Sequence, residues 1–133
     1  MPNANVLKQK QDNGADYIMT QLCWDMEQFK YWLDAIRKAG VTMPVDVGVM
    51  PILDQAATIN MALSRNGCVM DHELCKIISQ NWLFPNPFAA KDAEGKPFDM
   101  FYDDKIKRFR EAGIEYTIKQ IDTYRSLGVN GIH

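Results

Sequence analysis

The chain has 133 residues, of which 47% are hydrophobic and 24% charged, and these values are typical of one globular domain and not of a disordered chain. Its formal net charge of -2 argues against a nucleic-acid-binding surface, because phosphate recognition needs an excess of basic residues. No apolar run approaches the roughly 20 residues of a membrane-spanning helix, and the N-terminal residues lack a secretory signal, which favours a cytoplasmic location.

The first two predicted elements are a helix over residues 6–13 and a buried strand over residues 14–24. Gly14 ends the helix, because glycine readily adopts the left-handed conformation that follows a last helical turn. The apolar part of the strand leads into a polar residue, Gln21. Ligands of parallel α/β proteins are held at the carboxyl ends of strands, so Gln21 is the first candidate for ligand binding. A loop-capping amide is the other interpretation of this residue.

A helix over residues 25–39 and a strand over residues 45–52 extend this pattern to a βαβ unit. Asp25 is the predicted N-cap, and Gly40 ends the helix. Gly48, inside the second strand, predicts either a close approach of the backbone to another group or a simple bend. The helix carries one apolar stripe that is predicted to pack against a sheet, formed by Phe29, Trp32, Leu33 and Ile36.

Three further helices and a third strand are predicted in the second half of the chain. The helices cover residues 54–66, 69–81 and 103–126, and the strand begins near residue 129. Gly113 interrupts the pattern of the last helix, whose positions along the second half are Ile114, Ile118, Ile121 and Tyr124 or Arg125. Residues 83–102 contain three prolines and are predicted to form a long irregular excursion, which is typical of a lid or a family insertion.

The three cysteines, Cys23, Cys68 and Cys75, are an odd number at uneven spacing. They do not form a disulfide framework, which fits a reducing compartment. Cys68, His72 and Cys75 have a spacing at which a helix would place three metal ligands roughly on one side. No fourth ligand is evident nearby, and cysteine is commonly a small buried hydrophobic residue, so no metal site is assigned.

The three strands do not make a closed sheet, because a parallel barrel takes eight strands. We therefore expect residues 1–133 to form a single, partial barrel domain of the α/β class. The third strand begins only at the end of the sequence, so its edge would lack a partner. Either the chain is a fragment, or it pairs with another chain or copy of itself.

The order of several short motifs resembles that of the methylenetetrahydrofolate reductases, which are flavin enzymes built on a TIM (βα)8 barrel. Residues 7–16 are similar to the family's L-K-x-K-x-D-x-G-A-D segment, and Ile18–Gln21 to its I-x-T-Q strand. Residues 40–45 and 48–52 are similar to its A-G-I-x-x-P-I and P-G-I-x-P-I segments, and residues 113–133 to its last helix and strand. The resemblance covers nearly the whole chain.

This resemblance implies that the chain is the C-terminal part of the barrel, strands six to eight. The implied activity is reduction of 5,10-methylenetetrahydrofolate to 5-methyltetrahydrofolate, with bound FAD as cofactor and NADH or NADPH as reductant. Gln21 is implied to contact the folate pterin and the nicotinamide, and Met61 stands where the family has a folate-stacking aromatic residue. Lys10 is implied to lie near the flavin phosphates, although from the sequence pattern alone it is a solvated helix residue.

The chain departs from the family around these positions. Gln9 replaces an arginine, Val6 and Asn3 replace an asparagine and an aspartate, and Ala57 replaces a glutamine, so fewer flavin and folate contacts are expected. The acidic catalytic residues of the family lie on earlier strands, so no catalytic residue is assigned here. The alternative to a reductase is a non-catalytic barrel fragment that self-associates or pairs with another chain.

Overall fold

A three-stranded parallel sheet with helices against it organises the computed structural model, which describes residues 3–64, 68, 70–83 and 102–133. In chain order the elements are α1 (Ala4–Asp12), β1 (Ile18–Met19), α2 (Met26–Lys38), β2 (Val45–Val47), α3 (Gln55–Leu63), α4 (His72–Gln80), α5 (Tyr102–Ser126) and β3 (Gly131–Ile132). The strand order is β1-β2-β3, with Ile18 beside Val45 and Asp46 beside Gly131. The predicted α/β class is therefore confirmed, with consecutive strands lying side by side.

Glycine in the left-handed region follows three of the helices, where the sequence predicted that they end. The φ angles are +96° at Gly14, +82° at Gly40 and +73° at Gly128, a conformation that is costly for residues with a Cβ. At the other end of α2, the Asp25 carboxylate accepts a hydrogen bond from the Gln28 N–H at 2.9 Å. The predicted N-cap is thus confirmed, and α2 has the predicted length to within a residue or so at each end.

Both long predicted strands are much shorter in the structure. The physical reason is that their later backbone groups form hydrogen bonds outside the sheet. Thr20 N–H still bonds the Asp46 carbonyl at 2.9 Å, but the chain then turns toward α5 and leaves the sheet. In the second strand, the Ile52 N–H donates to the Thr117 hydroxyl oxygen at 3.2 Å and not to a neighbouring strand. The predicted strands over residues 14–24 and 45–52 therefore contain two and three ladder residues.

One face of the sheet carries the first hydrophobic core. Val45 and Val47 of β2 are fully buried there, and the exposed fraction of Met19, on the opposite face, is 58%. The apolar stripe of α2 packs against the buried face as predicted, with Phe29, Trp32, Leu33 and Ile36 all buried. The buried Tyr124 of α5 joins the same cluster, where its ring lies 4.8 Å from that of Phe29 in an edge-on arrangement.

The buried face of α5 includes the predicted Tyr124 but differs from the prediction at the isoleucine positions. Ile114 and Ile118 are 46% and 54% exposed, so the isoleucine positions do not form the packing stripe. The helix also runs without a break through Gly113, where a Cβ would lie only 2.1 Å from the Ile52 carbonyl oxygen. Glycine here admits a neighbouring backbone segment and does not interrupt the helix. The residues that do face the interior are Phe109, Gly113, Tyr116, Thr117, Gln120 and Tyr124.

A second hydrophobic cluster lies between α3, α4 and α5, and includes Trp24, Ile52 and Leu74. The predicted helix over residues 69–81 begins later than expected because Asp71 caps it, accepting from the Leu74 N–H at 2.8 Å. The helix predicted over residues 54–66 is observed as far as Leu63. Residues 84–101, nearly all of the predicted irregular excursion, lie outside the described residues. No helix in the described ranges has both the length and the apolarity needed to cross a membrane.

Candidate functional site

The carboxyl ends of the three strands meet in a small cluster of backbone and side-chain hydrogen bonds. Thr20 and Gln21 follow β1, Gly48 follows β2, and His133 follows β3. The Gly48 N–H donates to the Thr20 hydroxyl at 3.3 Å, and the His133 N–H donates to the Val47 carbonyl at 2.9 Å. His133 Nε2 lies 3.2 Å from the Thr20 carbonyl oxygen, so the tautomer with a proton on Nε2 donates a hydrogen bond there. These contacts fix the strand ends relative to one another.

The close approach predicted at Gly48 is confirmed. A Cβ at this position would lie 3.1 Å from the Thr20 carbonyl oxygen and 3.3 Å from the Leu22 nitrogen. A side chain would therefore push the end of β2 away from the residues on both sides of Gln21. Glycine at this position lets the two strand ends approach each other.

The Gln21 side chain is exposed at this edge of the sheet and has a defined orientation. Its Oε1 accepts a hydrogen bond from the Leu22 N–H at 3.0 Å. Within the described residues its amide nitrogen has no partner, so the two N–H donors are available to a ligand. Gln21 thus caps its own turn through the oxygen, as one interpretation of the sequence predicted, and still presents donors, as the other interpretation requires.

The turn after Gln21 is held by side chains of α5, which the sequence reasoning did not identify. The Cys23 carbonyl accepts from Gln120 Nε2 at 2.7 Å and from the Tyr124 hydroxyl at 2.8 Å. The Trp24 carbonyl accepts from the Tyr116 hydroxyl at 3.0 Å. Burial raises the pKa of both tyrosines, which keeps the hydroxyl groups protonated as donors. The sequence signal for these donors is the spacing of Tyr116, Gln120 and Tyr124, which are four residues apart. This spacing places them on one face of the helix, together with Gly113.

The open face of the sheet leads to the same strand ends. Met19, Asp46 and Gly131 are neighbours across the three strands, and Gln21 follows two residues beyond Met19, after the end of β1. A Cβ at Gly131 would lie 2.4 Å from an Asp46 carboxylate oxygen, so this carboxylate lies over the glycine. The open face therefore combines the apolar Met19 with the acidic Asp46. The sequence pattern did not indicate a function for Asp46.

Lys10 lies away from this cluster. It is exposed in the last turn of α1, and the neighbouring Gln11 side chain accepts hydrogen bonds from the Thr42 N–H at 2.7 Å and the Met43 N–H at 3.1 Å. Those two residues precede β2, so this turn of α1 is at the amino end of the sheet, opposite to Gln21. Lys10 has no ion pair within the described residues, whereas Lys8 pairs with Asp12. The structure does not bring the predicted cofactor residue and the predicted substrate residue together.

Met61 lies near the end of α3, half-buried against the second hydrophobic cluster. The cluster contains Trp24, three residues after Gln21, so Met61 packs against the core that supports the turn after β1. Its carbonyl accepts from the Ser64 hydroxyl at 2.6 Å, which terminates the helix locally. Met61 as a folate-contacting residue stays a prediction.

The three residues considered as metal ligands have different environments. Cys68 is buried in the second cluster, while His72 and Cys75 are exposed on α4. Cys23 was not considered as a ligand. It is buried and its thiol donates to the Asp25 carbonyl at 3.3 Å, so it packs beside the candidate site. The part of the chain that the structure describes contains no group of three or more histidine, cysteine or acidic residues able to hold a metal ion.

A cleft of about 480 Å³ lies between α5 and the starts of α2 and α4. Tyr116 and Gln120 form part of its wall, and Asp71, Glu73 and Asp122 give it an acidic rim that Lys119 partly neutralises. Lys119 lies 3.4 Å from Glu73 and is exposed, so this ion pair contributes little to stability. The cleft is separate from the strand ends.

Comparison with known proteins places the sequence of this chain in a family. Residues 2–79, more than half of the chain, match a sequence profile described as methylenetetrahydrofolate reductase. The matched region includes α1 to α3 and all of α4 except Gln80, and therefore Lys10, Gln21 and Met61.

Individual relatives match over shorter segments. Methylenetetrahydrofolate reductase 1 of Schizosaccharomyces pombe is 48% identical over 46 residues, which is 35% of this chain and 8% of the relative. Methylenetetrahydrofolate reductase 2 of Saccharomyces cerevisiae is 40% identical over 68 residues, 47% of this chain and 11% of the relative. A rice protein named as a probable NADH-dependent methylenetetrahydrofolate reductase is 42% identical over 55 residues, 41% of this chain and 9% of the relative. The chain thus spans about a tenth of the length of these relatives.

Proposed function

Because the chain belongs to the methylenetetrahydrofolate reductase family, we propose that it forms the folate-facing part of a flavin-dependent reductase. The proposed reaction converts 5,10-methylenetetrahydrofolate to 5-methyltetrahydrofolate, with NADH or NADPH as the reductant. Relatives from rice and from Caenorhabditis elegans are named as probable NADH- and NADPH-dependent enzymes, respectively, so the choice of nicotinamide is open. The three parallel strands are proposed to be strands six to eight of a (βα)8 barrel.

The observation that carries this proposal is the position of Gln21. It lies at the carboxyl end of β1, where parallel α/β proteins bind their ligands. Its amide oxygen is occupied by the Leu22 N–H, so Gln21 offers two donors toward a ligand. A pterin ring has carbonyl and ring-nitrogen acceptors on one edge, which matches this donor set. The contact with the nicotinamide carboxamide would use the same donors.

Met61 is proposed to cover part of the folate ring in place of an aromatic residue. The thioether is polarisable and its side chain is flexible, so it can pack against a flat ring. Its half-buried position against the cluster of Trp24 leaves part of the side chain accessible. A methionine contact is less directional than ring stacking, so we expect it to contribute less to affinity than Gln21.

Lys10 is proposed to bind a phosphate group of FAD. The residue fits this role in charge, because its ammonium group is exposed and has no acidic partner within the described residues. Its position at the amino-end side of the sheet, opposite to Gln21, weighs against this role, because parallel α/β proteins bind their ligands at the carboxyl ends of the strands. FAD, when bound, supplies the hydride chemistry, and the residues of this chain hold and orient the reactants.

Titration with FAD tests this proposal. The purified chain is mixed with FAD alone, and then with FAD and the amino-terminal half-barrel of a related reductase, while flavin fluorescence is recorded. We expect saturable binding when the added half is present, followed by bleaching of the flavin on addition of NADH or NADPH. A folded chain that binds no flavin under either condition would contradict the reductase assignment.

A second candidate function is a barrel fragment that self-associates or pairs with another chain. Within the described residues, β1 and β3 each pair only with β2, so both edges of the sheet are open, and Tyr17 and Met19 are 56% and 58% exposed beside them. Sedimentation of the chain measures this directly. A tight homodimer without flavin affinity would favour the second candidate, and a monomer without flavin affinity would count against both.

A cytoplasmic location is proposed from the state of the cysteines. Cys23, Cys68 and Cys75 are all free thiols, and Cys75 is exposed. An exposed free thiol is readily oxidised in a secreted protein, so this arrangement suits a reducing compartment. Fractionation of cells followed by detection of the chain would test the location.

A further inference from the structure

Three polar side chains of α5 donate hydrogen bonds to the turn after Gln21. Tyr116, Gln120 and Tyr124 follow one another at intervals of four residues, so all three lie on one face of the helix. Each donates a hydrogen bond to a main-chain carbonyl of the turn, at 3.0, 2.7 and 2.8 Å. One helix face thus determines where this turn lies.

The contacts are in the interior, where their loss is not compensated by water. Tyr116 and Gln120 are 5% and 4% exposed, and Tyr124 is fully buried. The acceptors belong to Cys23 and Trp24, which are also buried, so an unbonded carbonyl would remain without a partner. The turn is therefore kept in place by specific donors and not by apolar packing alone.

The turn is connected directly to the functional group of Gln21. The Gln21 amide oxygen accepts from the Leu22 N–H, and the carbonyl of the next residue, Cys23, is the one held by two donors of α5. On the other side, Gly48 packs closely against the Thr20 carbonyl and the Leu22 nitrogen. A displacement of the Cys23 peptide would therefore move the Leu22 N–H and release the Gln21 amide from its defined orientation.

We infer that Tyr116, Gln120 and Tyr124 are positioning residues that orient the Gln21 amide, so that its two N–H donors face a ligand acceptor. This inference rests on the proposed function for the identity of the ligand, a reduced folate. It assigns α5 a part in substrate recognition although none of the three side chains is placed in contact with substrate. The preference of the site for a ring edge that carries hydrogen-bond acceptors then depends on α5, which holds the turn after Gln21.

The test compares the Gln120→Leu/Tyr124→Phe double variant with the single variant Tyr124→Phe and with the control Tyr31→Phe. Tyr31 is 78% exposed on α2, so loss of its hydroxyl should leave the turn unchanged. Hydrogen exchange of the Leu22 N–H in the full chain is measured by NMR, with the N–H of the buried Ile36, further along α2, as the internal reference for global stability. The double variant removes both donors to the Cys23 carbonyl while retaining apolar volume.

We expect Leu22 exchange to be at least tenfold faster in the double variant and several-fold faster in Tyr124→Phe, with Ile36 exchange changed much less. The single variant decides the question if the double variant does not fold. Unchanged Leu22 exchange in a folded variant, or equal acceleration at Leu22 and Ile36, would overturn the inference, because the helix would then support only the fold.

A second measurement separates this inference from the proposed function. The affinity of the flavin-loaded chain, with the added half-barrel, for 5-methyltetrahydrofolate should fall about tenfold in the double variant, while FAD affinity is unchanged. Absence of folate binding by the unaltered protein would refute the proposed function, whereas the exchange data would still show whether α5 positions Gln21. Folate affinity unchanged in a variant with faster Leu22 exchange would overturn the role in recognition.

Discussion

Gly113→Ala is the substitution for which the structure gives the clearest expected magnitude. The added Cβ would lie 2.1 Å from the Ile52 carbonyl oxygen and 2.8 Å from the Ile52 Cγ2 atom, so backbone must move. Overpacking of this kind costs about 1–3 kcal/mol. The movement would also weaken the 3.2 Å hydrogen bond between the Ile52 N–H and Thr117, worth about 1 kcal/mol. Alanine recovers roughly 1 kcal/mol of helix propensity. The net expectation is destabilisation by about 1–3 kcal/mol.

Urea unfolding followed by circular dichroism measures this value, and the exposed Glu111 provides the matched control. Comparing Glu111→Ala with Glu111→Gly gives the intrinsic alanine preference of the same helix, which we expect to favour alanine. Alanine should thus stabilise at position 111 and destabilise at position 113. A Gly113→Ala chain as stable as the unaltered one would refute the conclusion that this glycine admits the Ile52 backbone.

Three further substitutions test other parts of the structure. Gln55→Leu should lower the free energy of unfolding by about 3 kcal/mol in urea, because a fully buried amide that bonds three backbone groups is lost; an effect below about 1 kcal/mol would contradict this. Asp25→Ala should lower the free energy of unfolding by about 1 kcal/mol through loss of the N-cap. Asp25→Asn should lower it much less in the same assay, because asparagine is also a good N-cap residue. Burial raises the pKa of Cys23 from 9.0 to about 11, so its folded form holds the proton more tightly and stability should fall as the pH rises from 9 to 11. That part of the decline should be absent from Cys23→Ala, and an identical pH profile would contradict it.

Patterns that depend on local chemistry could be read from the sequence. Gly14 and Gly40 end helices because their left-handed backbone is a local property, and the stripe of α2 follows from helical periodicity. The position of Gln21 beyond the apolar part of the first strand was predicted in the same way, although β1 itself ends already at Met19. These features needed no knowledge of distant parts of the chain.

Features set by contacts between distant residues could not be read in this way. The two predicted strands end early because α5, about 65 to 100 residues further along the chain, bonds their continuing backbone. The same contacts turn Thr117 and Gln120 inward and leave Ile114 exposed, which reverses the expectation from hydrophobicity alone. Gly113 gave an ambiguous signal, because a glycine in a helix can mark either a break or a close neighbour, and only the position of Ile52 decides.

The most direct test of the proposed reductase is the effect of Gln21→Ala on turnover. The full chain, combined with FAD and the complementary half-barrel, is assayed for reduction of 5,10-methylenetetrahydrofolate, with Tyr31→Phe as the control. We predict that Gln21→Ala lowers kcat/KM for the folate at least tenfold, a loss of about 1.4 kcal/mol, and leaves FAD affinity unchanged. Turnover by Gln21→Ala equal to that of the control, or no turnover by the unaltered chain with flavin bound, would contradict the account.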